Sequence, residues 1–126
     1  MVTSGINMKR DMDLIRKMLL AIEAEEHAFA PNNIEVSSYT QEQIGYHAVL
    51  LGEAGLAKVN DVTTYSSKSP QALITRLTWQ GHEFLDSARE NHIWNQAKDK
   101  VNKIGGASIQ IWTAILTELI KKQLGL

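Results

Sequence analysis

The sequence predicts a mainly helical α+β chain in the order helix, strand, helix, two strands, helix, and two short segments carry that prediction. The first, Tyr46-His47-Ala48-Val49-Leu50-Leu51-Gly52-Glu53-Ala54-Gly55-Leu56, reads as a helix stopped by Gly55 and running straight into a strand, because glycine takes the left-handed backbone a helix end needs. The second, Arg76-Leu77-Thr78-Trp79-Gln80-Gly81-His82-Glu83-Phe84-Leu85, reads as the return strand of a β-hairpin. It ends at Thr78, whose hydroxyl can cap the next helix by accepting from a free backbone N–H. A helix, a hairpin "wing" and a further helix make a winged helix-turn-helix-like domain, here with extra C-terminal helices.

Each element follows from local pattern. Residues Met1 to Asn7 carry no periodicity and read as a disordered lead, an upstream start or a cloning remnant, with Met8 opening the first convincing helix. From Met8 to about Glu26, Met12, Ile15, Leu19 and Ile22 recur at helical spacing between charged residues. Pro31-Asn32-Asn33 punctuates the chain, and Ile34-Glu35-Val36 alternates as a short strand does. Thr40-Gln41-Glu42-Gln43 matches a capping box, so a helix starts at Gln41. At about 100° per residue, Ile44, His47, Ala48, Leu51 and Ala54 share its inner face, and Glu42, Gly45, Tyr46, Val49, Gly52 and Glu53 the outer one.

Leu56 to about Thr64 and Leu73 to Trp79 are the expected hairpin strands, joined through a polar wing tip at Ser66-Ser67-Lys68-Ser69-Pro70. From Trp79 the pattern is helical, with Phe84, Leu85 and Ala88 inward, until it slips at Asn91-His92. Trp94, Ala97, Val101 and Ile104 restart it, and Gly105-Gly106 ends it. Ser108 then caps a final helix to about Leu124, along which Ile109, Trp112, Ile115, Leu116, Leu119, Ile120 and Leu124 form a wide apolar stripe. The expected division is a winged-helix domain over 8–104 followed by a C-terminal helix over 105–126, whose stripe serves either core packing or homodimerisation.

Composition bounds the function. A length of 126 residues with 44% hydrophobic and 21% charged residues suits one core. Thirteen basic against fourteen acidic residues give a net charge of −1, so binding to a polyanion needs local segregation of charge. The lack of cysteine removes disulfides and thiolate chemistry and fits a reducing cytoplasm. No apolar run approaches the roughly 20 residues of a membrane span, and no signal-peptide pattern opens the chain.

Several segments carry a family likeness. Met8-Lys9-Arg10-Asp11-Met12-Asp13-Leu14-Ile15-Arg16, Tyr46-His47 with Glu53-Ala54-Gly55-Leu56, Arg76 to Asp86, and Ile93-Trp94 resemble the domain of unknown function 2513 family, proteins common in phages and prophages. More distantly, the His-x-x-x-Leu and Glu-Ala-Gly-Leu elements look like the recognition-helix end of ArsR-type repressors. The Leu-Thr-x-x-Gly element looks like the return strand of PadR- and MarR-type regulators. The resemblance implies a winged helix and a non-enzymatic regulator of phage type. One departure stands out: only one helix fits between Val36 and Leu56, where a helix-turn-helix has two.

On that reading double-stranded DNA is the expected partner, with Gln41, Gln43 and Tyr46 on the helix and Lys58, Lys68 and Arg76 on the hairpin as candidate contacts. The helix itself lacks cations and offers Glu42 and Glu53, which would repel phosphate. The same face, read as a smooth strip of Gly45, Val49 and Gly52 beside Tyr46, suits a protein partner instead, and the adaptor reading stays open. The four histidines, His27, His47, His82 and His92, fall in different elements, so no metal site is expected. His47 reads as a structural histidine, and His82 as a partner for Asp86 one turn on. Trp79, Trp94 and Trp112 read as core. No nucleophile elbow or phosphate loop is present, and neither catalysis nor a cofactor is expected.

Overall fold

The computed structural model describes residues 7–126, so the expected lead lies outside the described residues except for Asn7. Asn7 is held: its carbonyl accepts from the Gln43 amide and its side chain from the Lys9 N–H. The described residues contain five helices and one two-stranded antiparallel hairpin: α1 (Met12–Glu23), α2 (Gln41–Glu53), β1 (Ala57–Asp61), β2 (Ala72–Leu77), α3 (Trp79–Ala88), α4 (Asn91–Lys103) and α5 (Ile109–Leu124). They form two compact units that divide within α3, between Gly81 and His82. The boundary expected at Gly105 falls inside the second unit.

In the first unit, α1 begins four residues later than the periodicity suggests. Asp11 leaves the helical conformation and its carboxylate accepts from the Asp13 and Leu14 N–H groups, which fixes the start at Met12. Leu14, Ile15, Met18, Leu19 and Ile22 are buried, whereas Met12 is only half-buried. The strand expected at Ile34-Glu35-Val36 does not form. Ile34 enters the core as a single side chain, 8% exposed, and its carbonyl is satisfied by the Gln41 amide rather than by a neighbouring strand. No helix intervenes between α1 and α2, so α2 is the single helix between Val36 and the hairpin.

The capping box at α2 is complete: Thr40 Oγ1 accepts from the Gln43 N–H, and Gln43 Oε1 accepts from the Thr40 N–H. Gly55, at φ +75°, turns the chain into β1. β1 pairs with β2 in the register Ala57↔Leu77, Lys58↔Arg76, Val59↔Ile74, Asn60↔Leu73 and Asp61↔Ala72. Thr75 is the extra residue of a bulge. Its hydroxyl donates to the Lys58 carbonyl, while its own carbonyl accepts from the Ala30 N–H. β1 is shorter than expected: beyond Asp61 one backbone bond remains, from the Val62 N–H to the Gln71 carbonyl, and then Thr63 Oγ1 takes over, accepting from the Gln71 N–H and donating to the Gln71 carbonyl.

In the second unit, the break falls at Arg89-Glu90, just before the slip expected at Asn91-His92, and α4 starts at Asn91 because the Glu90 carboxylate caps it by accepting from the His92 and Ile93 N–H groups. Phe84, Leu85, Ala88, Trp94, Ala97 and Val101 are buried as the periodicity requires. Trp94 meets Phe84 edge-on, with ring centroids 6.4 Å apart, and stacks on Trp112 at 4.6 Å. Ile104 and Leu124, assigned to the apolar faces by spacing, are instead exposed at the two helix ends. Gly105 and Gly106 make the turn to α5, which Ser108 caps. No helix among the described residues is long and apolar enough to cross a membrane.

Candidate functional site

The candidate DNA-reading face of α2 is reorganised by the hairpin. Gly45 lies against Gln71, where an added Cβ would sit 3.1 Å from the Gln71 Cβ, and Gly52 lies against Val59, where it would sit 2.5 Å from a methyl carbon. The smooth strip expected to receive a partner is therefore taken by the chain's own residues, Val59 of β1 and Gln71 just before β2. Gln43 is a correction of the same kind: it is 7% exposed, and its amide is committed to the capping box and the Asn7 carbonyl, so it offers nothing to a base edge. Gln41 is exposed but donates to the Ile34 carbonyl. Tyr46 is half-buried with its ring edge-on to His47. What α2 leaves toward solvent is an arc of Glu42, Tyr46, Val49, Leu50 and Glu53 without a cation.

The cations of the hairpin are distributed unevenly. The bulge keeps Lys58 and Arg76 on the same exposed side as Asn60 and Leu73, while Ala57, Ala72, Ile74 and Leu77 point inward. Lys58 and Arg76 stand directly opposite each other in the ladder, a like-charge pairing that disfavours the fold by itself. The Arg76 guanidinium donates to the Leu77 carbonyl, and neither side chain makes an ion pair among the described residues. Leu73, 52% exposed, continues this face toward the tip, where Tyr65 is fully exposed.

Lys68 is separate from this pair. It lines a groove of about 370 Å³ between the start of α2 and the hairpin tip, with Gln41, Glu42, Ile44 and Leu73. There the Glu42 carboxylate accepts from the Ser69 hydroxyl at 2.6 Å. On the other side, Lys58 borders an open depression that also holds Glu53 and Asp61. The Asp61 carboxyl is held below its usual range by the hydrogen bonds it accepts from Thr63. The structure thus brings Lys58 and Arg76 together, places Gln41 with Lys68, and withdraws Gln43.

The two segments that announce the fold are joined by one residue. Thr78 Oγ1 accepts from the Gly81 N–H and donates to the Gly55 carbonyl, and the Thr78 N–H donates to the Leu56 carbonyl. A Cβ on Gly81 would lie 2.0 Å from that same Leu56 oxygen, so only glycine permits the approach. Trp79, expected in the core, is 76% exposed because the cap at Thr78 turns the first position of α3 outward.

A polar network centred on His47 lies beneath α2. His47, 1% exposed, accepts from the Asp11 N–H at Nε2 (2.9 Å), which assigns Nδ1 as the donor to the Gln43 carbonyl (2.8 Å). Burial pushes its pKa below the ordinary histidine value, against the opposing pull of Gln43 and Asp11. The other carboxylate oxygen of Asp11 accepts from the Tyr39 hydroxyl, whose pKa is raised by burial and by this bond. The inward, structural reading of His47 agrees with its burial; its partners Asp11 and Tyr39 carried no signal in the sequence, where Asp11 falls inside the helix expected from Met8. Asp86, expected to meet His82, pairs with Arg89 instead, at 2.8 Å. Among the described residues no group of three or more His, Cys, Asp or Glu is placed to hold a metal ion.

The α5 stripe is divided. Trp112, Leu116 and Leu119 are buried within the second unit, with Trp112 against Trp94 of α4, while Ile109, Ile115 and Ile120 are half-buried.

Comparison with known proteins adds lineage to this geometry. The model of the family described as "Hypothetical protein (DUF2513)" matches residues 9–108. The chain is also similar to an uncharacterized protein of Haemophilus influenzae (strain ATCC 51907 / DSM 11121 / KW20 / Rd), 41% identical over 98 residues, which cover 75% of this chain and 79% of that relative. No solved structure matches the chain.

Proposed function

The chain belongs to the DUF2513 family, and from that premise we propose that it is a non-enzymatic DNA-binding regulatory protein of phage or prophage type, a reduced winged helix that grips through its hairpin. The observation that carries this reading is the facing pair Lys58 and Arg76. Two cations without an ion pair, held opposite each other on a solvent face, repel each other and become favourable beside a phosphate backbone. Helix α2 then acts as the hairpin's support and not as a base reader, since its solvent arc has no cation and Gln43 is buried. A homodimer built on α5 has left to it the solvent line Ile111, Ala114 and Ile115, because Trp112, Leu116 and Leu119 are spent inside the unit.

The test is salt-dependent binding to a mixed-sequence duplex by fluorescence anisotropy. Lys58→Glu with Arg76→Glu should weaken binding and lower the slope of log K against log salt by about 1.8, two phosphate contacts at roughly 0.9 each. Unchanged affinity and slope would remove the hairpin as the grip. A second reading is favoured by the acidic and apolar arc of α2, which suits a protein partner rather than a phosphate. Absence of any duplex binding at about 50 mM salt would leave that adaptor reading in its place.

A further inference from the structure

The second unit carries a cationic groove of its own. Helices α4 and α5 form a helical hairpin whose flank is an open groove of about 490 Å³, lined by Gln96, Asp99, Lys100 and Lys103 from α4 and by Lys122 and Gln123 from α5. The α4 residues recur every three or four positions and so lie on one face. From His92 to Lys103 that face runs about 16 Å at 1.5 Å per residue. All three lysines are exposed, and among the described residues none of their side chains has an ion-pair or hydrogen-bond partner.

We propose that this groove binds the phosphodiester backbone of nucleic acid, with Lys100, Lys103 and Lys122 as the charge contacts and the amides of Gln96 and Gln123 as neutral donors. The proposal deepens the DNA-binding reading and rests on it for its ligand. Helix dipoles explain why lysines sit in the last turns of α4 and α5. They do not explain why lysines from the two helices converge on one groove that holds a single carboxylate, Asp99. Lysines and amides in a line match a chain of phosphates, each a point-charge acceptor. The groove lining contains no arginine, so its charge contacts are the point-charge kind that lysine makes to phosphate. A line of about 16 Å also exceeds a single small anion and suits an extended chain of phosphates.

The experiment measures duplex binding against salt for the full chain and for two sets of variants. The first is the hairpin pair Lys58→Glu with Arg76→Glu, and the second is Lys100→Gln, Lys103→Gln and Lys122→Gln. Glutamine keeps side-chain length and helix propensity, so the groove set remains folded by circular dichroism even where glutamates at the helix C-termini would not. The expected result is a salt slope lowered by about 2.7 in the groove set, three contacts at roughly 0.9 each. An unchanged slope in the groove set while the hairpin set is weakened overturns the groove alone. A weakened groove set beside an unaltered hairpin set upholds the groove and overturns the hairpin grip. No duplex binding by the unaltered chain overturns both. Polyglutamate that displaces duplex at equal charge concentration assigns the groove to acidic proteins and overturns the phosphodiester ligand.

Discussion

Replacing His47 with phenylalanine is the sharpest test of how the first unit is held together. The imidazole is 1% exposed and gives the Asp11 N–H its acceptor at 2.9 Å, and that contact ties the start of α1 to α2. Phenylalanine keeps a ring of similar size and removes both ring nitrogens. The Asp11 donor is then left without its partner in a half-buried position, at a cost of about 1–3 kcal/mol. With a urea dependence of about 1–3 kcal/mol per M for a small protein, the unfolding midpoint at neutral pH should fall by on the order of 1 M.

The pH dependence gives a second, independent readout of the same residue. Because burial depresses the folded pKa of His47, the unfolded state binds more protons below its ordinary value of 6.5. The contribution is fully present above that pH and is lost as the pH falls from 6.5 toward the depressed folded value. Between about pH 7.5 and 5.5, where free carboxylates do not yet titrate, the unaltered chain should lose stability on acidification and the phenylalanine variant should lose less. A variant as stable as the parent at neutral pH, with the same slope toward acid, would refute the role given to the Asp11–His47–Gln43 chain of hydrogen bonds.

Other positions give equally specific expectations. Gly81→Ala should destabilise by at least the roughly 1–3 kcal/mol of ordinary overpacking, since its Cβ would meet a backbone oxygen that cannot rotate away; thermal unfolding at the parental temperature would refute the close approach. Thr78→Val keeps shape but deletes both hydroxyl bonds, and urea titration should report a loss of about 1 kcal/mol for the missing cap. Gly52→Ala should cost more than Gly45→Ala in a paired melt, because the nearest atom is at 2.5 Å in one case and 3.1 Å in the other; the reverse order would mean the hairpin packs differently on α2. Trp112→Ala should remove about 3–5 kcal/mol and abolish the near-ultraviolet dichroism of its stack with Trp94. A near-ultraviolet spectrum retained by that variant would refute the stack.

What the sequence determined by itself were the local events. The capping box at Thr40, the stop at Gly55, the cap at Thr78, the turn at Gly105-Gly106 and the cap at Ser108 each depend on a few neighbouring residues and on backbone stereochemistry, and all stand where spacing puts them. Helix and strand identities followed for the same reason, except at Ile34-Glu35-Val36, where alternation over so short a run had no partner strand to pair with. Tertiary structure alone decided which surfaces remain available. Helix α2 carries small or apolar residues on most sides, so its periodicity left open which side faces water; the hairpin settled it by packing on Gly45 and Gly52. Gln43 went inside because Asn7, remote in sequence, supplied a carbonyl, and Trp79 went outside because the cap fixed the phase of α3. The facing of Lys58 and Arg76 required the bulge at Thr75, and the α4–α5 groove required two helices to bring together lysines some twenty positions apart. A residue's neighbours along the chain set its backbone, but which surface is left to bind depends on what arrives from elsewhere to cover the rest.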